Sequence, residues 1–555
     1  MLAATLKADD LLRYATTSVE KNYSHRAIRA ARKLNRKPIP DSEPRSTVAC
    51  LALDPLAVAE QARQHLCGAL DPTRRGRLGQ YFTPLATARL MASMSERVRE
   101  RMRLLDPGAG VGALTAAWVA KICSTPIRPK EITLTAYELD DALLPTLKRT
   151  LKACEEACAG AGIICNWEVR GTDFIEAVVD LLDVGLFQTE VPAFDVAILN
   201  PPYKKFRAES RTRQLLRRLN IETSNLYAAF LALAVLLLEN GGELVAITPR
   251  SFCNGPYFRP FRRHLLRHVN LTRLHVFESR DHAFRDDEVL QENVILHAVK
   301  DVPQQPFVCV SQSRTPDDPI DIQRNVPFER VVRPDDPQAF IHLVPDDDGH
   351  ALAETMEALP CTLDELGLCA STGRVVDFRA QQWLRAEPAS GTVPLIYSTH
   401  FNNGTVRWPK ADTKKPNAIV SNTDSAALLV PAGVYVLVKR FSAKEERRRV
   451  VAVVFDSETV PCEVVGFENH LNYYHEQGAP LDRTLAWGLS AFLNCSALDA
   501  YFRQFNGHTQ VNATDLRFLR YPTREILTEL GRRVHEILPV QDKLDALVAK
   551  LLKLH

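Results

Sequence analysis

The chain has 555 residues, 46% hydrophobic and 25% charged, with a formal net charge of only +2. That length exceeds one ordinary core and predicts two or three domains, in a composition typical of water-soluble proteins. The small net charge excludes a uniformly polycationic chain, so any nucleic-acid partner must meet positive charge gathered into patches.

The N-terminus, "MLAATLKADDLLRYATTSVEKNY", is too charged for a secretory signal, and a cytoplasmic location is expected. Residues 1–75 are predicted to be helical, with basic stretches such as "RAIRAARKLNRK". From 104 to 299 strands and helices alternate, the signature of a mainly parallel sheet. Strand candidates are "RLLD", "ITLTAYE", "DVAIL", "GELVAIT", "RLHVF" and "NVILHAV". The longest apolar run, 226–238, is about half a membrane span and reads as a buried helix, starting after Thr223-Ser224 and ending at Gly241-Gly242. The 12 cysteines come without an export signal and are expected to be reduced. Cys154 and Cys158 lie one helical turn apart in an amphipathic segment, with Cys165 nearby and no ligating histidine close, so core packing is expected and no metal. Near 300 the texture turns rich in proline and aspartate. Short β-type runs then extend to 522, among them "GVYVLVKRFSAKEERRRVVAVVF", a hairpin with a basic loop. The last stretch is helical with a break at Pro539. Four segments are therefore expected: 1–75, 76–305, 306–522 and 523–555.

"RLLDPGAGVGALTAAWV" runs strand, glycine loop, helix. Glycines permit a tight turn and a close ligand. Glu138 ends the next strand, where a carboxylate can accept from ribose hydroxyls. The match to G-x-G-x-x-G is imperfect, and Asp106 at the head of the loop would repel a pyrophosphate. S-adenosylmethionine (SAM) carries a sulfonium and an ammonium and no phosphate, so Asp106 suits its cationic end. Asp173 follows a third strand-like run and could accept from the cofactor's adenine amino group.

"DVAILNPPY", 195–203, ends a buried strand with two prolines. Proline fixes its own φ and holds the preceding residue extended. The Asn200 side-chain oxygen and the Pro201 carbonyl are thus rigid acceptors, seconded by Pro202. Two acceptors on an exocyclic amino group would help localise its lone pair and stabilise the charge that develops on nitrogen during methyl transfer. Tyr203 offers a stacking surface for a planar base.

"GQYFTP" at 79–84, "DPGAGVG" at 106–112 and "NPPY" at 200–203, followed by a long C-terminal region, resemble the gamma-class N6-adenine DNA methyltransferases of bacterial restriction–modification systems. The resemblance covers about 76–300, and "FNGHTQVNATDLRFLRYP" resembles the end of their DNA-recognition part. It implies a Rossmann-like α/β SAM domain over 76–305, preceded by a helical segment. A mixed α+β target-recognition domain over 306–522 and C-terminal helices would follow. It implies Tyr81 and Thr83 near the methionine part of SAM, with Asp106, Gly108 and Gly110 around it. Glu138 would lie on the ribose and Asp173 on the adenine. Phe284, a loose match, would pack on the target base opposite Tyr203. Such a base must be flipped out of the duplex.

Two basic segments are candidate DNA contacts: "KKFRAESRTRQLLRRLN", with Lys204, Lys205 and Arg207, and "KRFSAKEERRR", with Lys439, Arg440, Lys444, Arg447 and Arg448. The expected partners are double-stranded DNA and a cognate restriction endonuclease acting separately, with no membrane; the chain is expected to be a monomer or weak dimer. Other amino groups remain as alternatives (cytosine N4, RNA adenine, protein glutamine), as does a partner-dependent DNA-binding subunit. No PD…(D/E)xK nuclease pattern stands in a strand context.

Overall fold

The alternating apolar runs form one nine-stranded sheet. Its parallel half is β1 (Arg101–Pro107), β2 (Glu131–Tyr137), β3 (Ile164–Arg170), β4 (Phe194–Leu199) and β5 (Leu238–Pro249). β6 (Val269–Phe277), β7 (Asn293–Lys300), β8 (Phe307–Ser313) and β9 (Ile322–Pro327) complete the order β3-β2-β1-β4-β5-β7-β6-β8-β9. β7 runs antiparallel between β5 and β6. The order reverses between β1 and β4, the switch point where open α/β sheets bind ligands beyond their strand ends. The computed structural model describes residues 54–69, 81–183, 191–207, 209–277, 292–343, 347–411, 413–442, 446–505, 510–534 and 536–553.

Helices cover both faces. α1 (Pro55–Ala69), α2 (Leu85–Met94), α3 (Ala113–Ser124) and α4 (Leu144–Gly160) bury one core with Val245 and Ile247 of β5. α5 (Phe174–Leu182), α6 (Arg211–Arg218), α7 (Leu226–Leu237) and α8 (Arg259–His268) bury the other with Leu244 and Ala246. Two buried faces explain why the central strands are continuously apolar. Cys154 and Cys158 sit on the buried side of α4.

Some elements depart from expectation. The apolar run at 226 is a buried helix, but it starts after Asn225, whose side chain makes no capping hydrogen bond, and ends at Leu237. Gly241 and Gly242 lie inside β5, where pairing with β4 shifts register between Phe194 and Val196. A Cβ on Gly242 would come within 3.0 Å of the Phe194 carbonyl oxygen, so the glycines serve the strand irregularity rather than a helix cap. The sheet also does not stop at 305. β8 pairs parallel with β6 and β9 pairs with β8, so backbone hydrogen bonding carries the catalytic sheet to Pro327 through the proline-rich stretch.

Beyond it lie two smaller sheets. Their strands are β10 (Cys369–Thr372), β11 (Leu384–Arg385), β12 (Thr392–Ile396), β13 (Phe401–Asn402), β14 (Thr405–Val406), β15 (Ala418–Val420), β16 (Leu429–Pro431), β17 (Val434–Lys439), β18 (Ala452–Asp456), β19 (Val464–Phe467) and β20 (Leu471–His475). One sheet runs β10-β20-β17-β18-β14-β13, the other β11-β15-β12-β19-β16. β17 and β18 form the expected hairpin. α9 (Arg483–Leu493), α10 (Ser496–Phe505), α11 (Arg524–Val534) and α12 (Gln541–Leu552) share one core with β17 and β18. The helices after 523 are thus part of this domain, because Leu527, Leu530, Leu544 and Val548 are buried in it. Among the described residues no helix is long and apolar enough to cross a membrane.

α9 and α11 cross at a pair of glycines. A Cβ on Gly488 would sit 1.7 Å from the Leu527 carbonyl oxygen, and one on Gly531 would sit 1.8 Å from that of Thr484. A single added methyl forces the helices apart and opens the core. Gly531→Ala should therefore destabilise the C-terminal domain by at least about 1–3 kcal/mol. Urea unfolding followed by far-UV circular dichroism checks this; an unchanged midpoint would show that the crossing has slack.

Candidate active site

β1 ends at Asp106 and Pro107, and the chain then turns through Gly108, Gly110 and Gly112, all at positive φ (76°, 57° and 82°). Residues with a Cβ rarely adopt three such conformations in five positions. The amides of Gly108 and Ala109 both donate to the Tyr137 carbonyl at 2.9 Å, locking the loop to the end of β2. The Gly110 amide donates to Glu138 Oε2 at 2.8 Å. Phe82 packs against Gly110 and Phe230 against Gly108, each at ordinary contact distance from where a Cβ would stand, so it is the positive φ and not space that calls for glycine.

Asp106 is almost fully buried. Its Oδ2 accepts from the Thr115 hydroxyl at 2.6 Å, and its Oδ1 has no partner. Burial pushes its carboxyl up to about 7, against the lowering effect of the Thr115 hydrogen bonds, and Glu138 adds a smaller upward push. Glu138 is also buried and its carboxyl is raised by burial; its two oxygens accept from the amides of Gly110 and Asp140. It braces the glycine loop and keeps further lone pairs. Asp173 caps α5, its Oδ1 accepting from the amides of Ile175 and Glu176.

Gly108, Gly110, Glu138 and Asp173 line one cavity of about 750 Å³, together with Tyr81, Phe82, Leu139, Ile175, Asn200, Pro202 and Lys204. The size suits a cofactor-sized ligand. Asn200 closes β4 at its mouth. Its Nδ2 donates to the Tyr81 carbonyl at 3.0 Å and to the Thr83 hydroxyl at 3.1 Å. Its Oδ1 is buried and has no partner. The side chain is thus held by its donor half with its acceptor half unspent. The Tyr203 ring lies between Tyr81, at 5.6 Å and 39°, and Tyr227, at 6.1 Å and 81°. Its hydroxyl donates to the Ile247 carbonyl at 3.3 Å. Pro201 is buried beneath.

Tyr81, Gly108, Gly110, Glu138, Asp173, Asn200 and Pro202 therefore meet at one cavity, with Thr83 joined to it through Asn200; Asp106 is buried at the head of the glycine loop and is not part of the cavity wall. Phe284 lies outside the described residues. Sequence reading missed Thr115, Phe82 and Phe230, whose roles arise from contacts distant in sequence.

The basic segments divide. Lys204, Lys205 and Arg207 are exposed, and Lys204 lines the cavity. The arginines of α6 are matched internally: Arg213 and Arg217 with Glu222, Arg218 with Asp180 and Asp183. In the hairpin loop, Lys439 pairs with Glu446 at 2.6 Å, Arg440 donates to the Asn469 carbonyl at 3.0 Å, and Arg448 donates to the Asn494 carbonyl. Of that loop's proposed DNA contacts only Arg447 is exposed, while Lys444 lies outside the described residues. The expected basic patch there is largely folded into the protein, because nearby carbonyls and Glu446 compete for its cations.

The fold is that of the Rossmann-like SAM-dependent methyltransferases, and the rim adds a fixed acceptor beside a cofactor-sized cavity. Residues 154–284 match the Eco57I restriction-modification methylase family. Over 497 residues the chain is 44% identical to the type II methyltransferase M.PstI of Providencia stuartii, covering 90% of this chain and 97% of that protein. Type II methyltransferase M.BsuBI of Bacillus subtilis is 46% identical over 467 residues, 83% of this chain and 91% of its own length. Among solved structures, the type IIL restriction-modification enzyme MmeI in complex with DNA shares the fold, with TM-score 0.52 and 12% identity over 90% of this chain and 74% of that one. The chain belongs to the type II methyltransferases of restriction–modification systems. It is a DNA methyltransferase with SAM as its methyl donor.

The raised Asp106 carboxyl has a measurable signature. Between its unfolded value of 3.8 and about 7 the unfolded chain has lost this proton while the native chain keeps it. Stability from this group is therefore full below about pH 4 and falls with rising pH by roughly 1.4 kcal/mol per unit until pH 7. Asp106→Asn should remove that slope and be the more stable protein at neutral pH. Denaturant midpoints from pH 4.5 to 8 would show it; parallel curves for the two proteins would mean that Asp106 is ionised in the native state.

Proposed function

We propose that this chain methylates the N6 amino group of an adenine flipped from duplex DNA, at a defined sequence, as the modification enzyme of a cytoplasmic restriction–modification pair whose endonuclease is a separate chain. The observation that carries the reading is the unpartnered, buried Oδ1 of Asn200, fixed by Nδ2 bonds to Tyr81 and Thr83. Such an acceptor is matched to an amino group that must donate while its nitrogen attacks. The order of "GQYFTP", "DPGAGVG" and "NPPY" along the chain favours adenine.

The cavity fits SAM on this chain's own chemistry. Behind the wall, at the head of the glycine loop, Asp106 Oδ1 is a buried acceptor lacking a donor, and its charge suits the cationic end of the cofactor. Glu138 and Asp173 can accept from the ribose hydroxyls and the adenine amino group, and Leu139 and Ile175 offer apolar walls. Bound there, SAM supplies an electrophilic methyl group on a sulfonium. On the protein side, Asn200 Oδ1 and the Pro201 carbonyl accept from the target amino hydrogens and draw its lone pair out of the ring. The two acceptors gain strength as positive charge grows on nitrogen, so their effect falls on the transition state. A carboxamide takes no proton, so the nitrogen attacks as a neutral amine and loses its proton after transfer. Tyr203 stacks on the base, and Tyr81 and Tyr227 hold its ring in place. Lys204, Lys205 and Arg207 would meet backbone phosphates at the cavity mouth.

Asn200→Ala should slow single-turnover methylation of duplex DNA roughly a hundred- to a thousand-fold with little change in DNA affinity. Thr83→Val keeps Asn200 but removes one of its two anchors, and should slow the same step by a smaller factor. Tyr203→Ala removes the stacking surface, worth about 1–3 kcal/mol, and should impair both binding and turnover. Nucleoside mass spectrometry of the product identifies the base. N4-methylcytosine in place of N6-methyladenine would overturn the adenine assignment, and a near-normal rate in Asn200→Ala would remove Asn200 from the chemistry.

A further inference from the structure

A second polar centre lies in the C-terminal domain, and the methyl-transfer chemistry does not use it. The end of β12, the end of β17 and the turn between β19 and β20 converge on a small cavity of about 160 Å³, lined by Lys415, Lys439, Phe441, Glu468 and His470 among others. Glu468 is only 1% exposed. Its Oε2 accepts from the His470 amide at 2.9 Å, and its buried Oε1, which has no hydrogen-bond partner of good geometry, lies 2.6 Å from His470 Nδ1. A buried carboxylate is costly unless it is well matched. Buried Glu243 is matched entirely inside the protein, by the Ser95 hydroxyl, the amides of Glu96 and Arg97 and the buried His297 ring at 3.4 Å. Glu468 instead faces an imidazole whose side chain is 46% exposed.

The position of Glu468 is itself tightly set. Its amide donates to the Ile396 carbonyl at 3.1 Å. A Cβ on Gly373 would sit 2.1 Å from its carbonyl oxygen, so the two backbones touch. The backbone that carries the carboxylate is therefore fixed, and the carboxylate draws Nδ1 of the ring toward it. With Nδ1 turned to Glu468, Nε2 is the outward atom. The ring packs edge-on against half-exposed Phe441 at 4.7 Å. The two flanking lysines already have acidic partners, Lys415 with Asp377 at 2.8 Å and Lys439 with Glu446 at 2.6 Å. What this rim offers is one directed polar atom beside an apolar ring, rather than loose positive charge. That is the chemistry of reading a base edge in the major groove, and not of holding a phosphate.

We propose that His470, aimed by Glu468, contacts a base edge of the recognised DNA sequence through Nε2, with Phe441 packing beside it. Glu468 is the positioning residue. The proposal rests on the reading of this chain as a sequence-specific DNA methyltransferase.

The test is methylation by the full-length protein of a duplex pool carrying every single-base variant of its recognised site, read by sequencing the methylated products. One matched contact discriminates against the wrong base by roughly 10- to 100-fold. His470→Ala should lose most of that preference at one base-pair position and keep it at the others, with SAM affinity unchanged and the protein still folded, though less stable for the loss of Glu468's partner. Glu468→Ala should relax the same position. Glu468→Gln, which keeps an oxygen to orient the ring, should retain part of the preference, a rescue that a merely structural role would not give. An unchanged sequence profile in folded His470→Ala overturns the proposal. So does an equal loss on every sequence, with a shallower salt dependence, which would mark a phosphate contact. A wild-type protein that methylates no duplex at all would instead strike at the methyltransferase reading itself.

Discussion

A carboxamide carries a donor and an acceptor on one rotatable plane, and it can offer the acceptor to a ligand only if the donor is already committed. In this chain the commitment is made by a segment far away in sequence. The carbonyl of Tyr81 and the hydroxyl of Thr83 hold Asn200 Nδ2, and the buried Oδ1 is left without a partner. Much of the rim follows from this bond. It draws the 81–84 strip across the ends of β1 and β4, sets Tyr81 against Tyr203, and brings Phe82 down onto Gly110. The prolines after Asn200 fix the backbone, but the orientation of the side chain belongs to the tether.

Asp106 follows the same logic with charge in place of geometry. It is buried, half satisfied by Thr115, and raised toward neutrality by its surroundings. Glu138, next to it, spends its oxygens on the amides that shape the glycine loop. The site therefore holds its acceptors before a ligand arrives, and the cost of burying them is an internal one, carried by the large two-faced core beneath the sheet. This is the usual relation between a rigid scaffold and a preorganised site.

Much of this was legible in the sequence, for identifiable reasons. The parallel strands announce themselves as short, continuous apolar runs, because both of their faces are buried. "NPPY" and "DPGAGVG" are local signals, since prolines and positive-φ glycines constrain the backbone where they stand. The pairs Thr83–Asn200 and Thr115–Asp106 are not local, and nothing in either segment names its partner. β8 and β9 were hidden because "FVCVSQS" is short and framed by prolines and aspartates. The glycines at 241 and 242 looked like a helix stop because a bulge and a cap ask for the same residue. The basic hairpin misled for a different reason. Charge can be counted from a sequence, but whether Arg440 or Arg448 faces solvent or a neighbouring carbonyl depends on packing that composition does not encode.

The crossing of α9 and α11 at Gly488 and Gly531 also orders events during synthesis. The nine-stranded sheet has all its strands once Pro327 has emerged, and its contacts are mostly between neighbouring segments. The hairpin of β17 and β18 is covered by α9, but the other side of α9 waits for α11, which lies further downstream and supplies Leu527 and Leu530 to the same core. On the ribosome, the catalytic half can therefore close well before the half that would choose its DNA sequence. During that interval the face of α9 around Gly488 has no cover, and it is this helix that stays exposed until α11 is made.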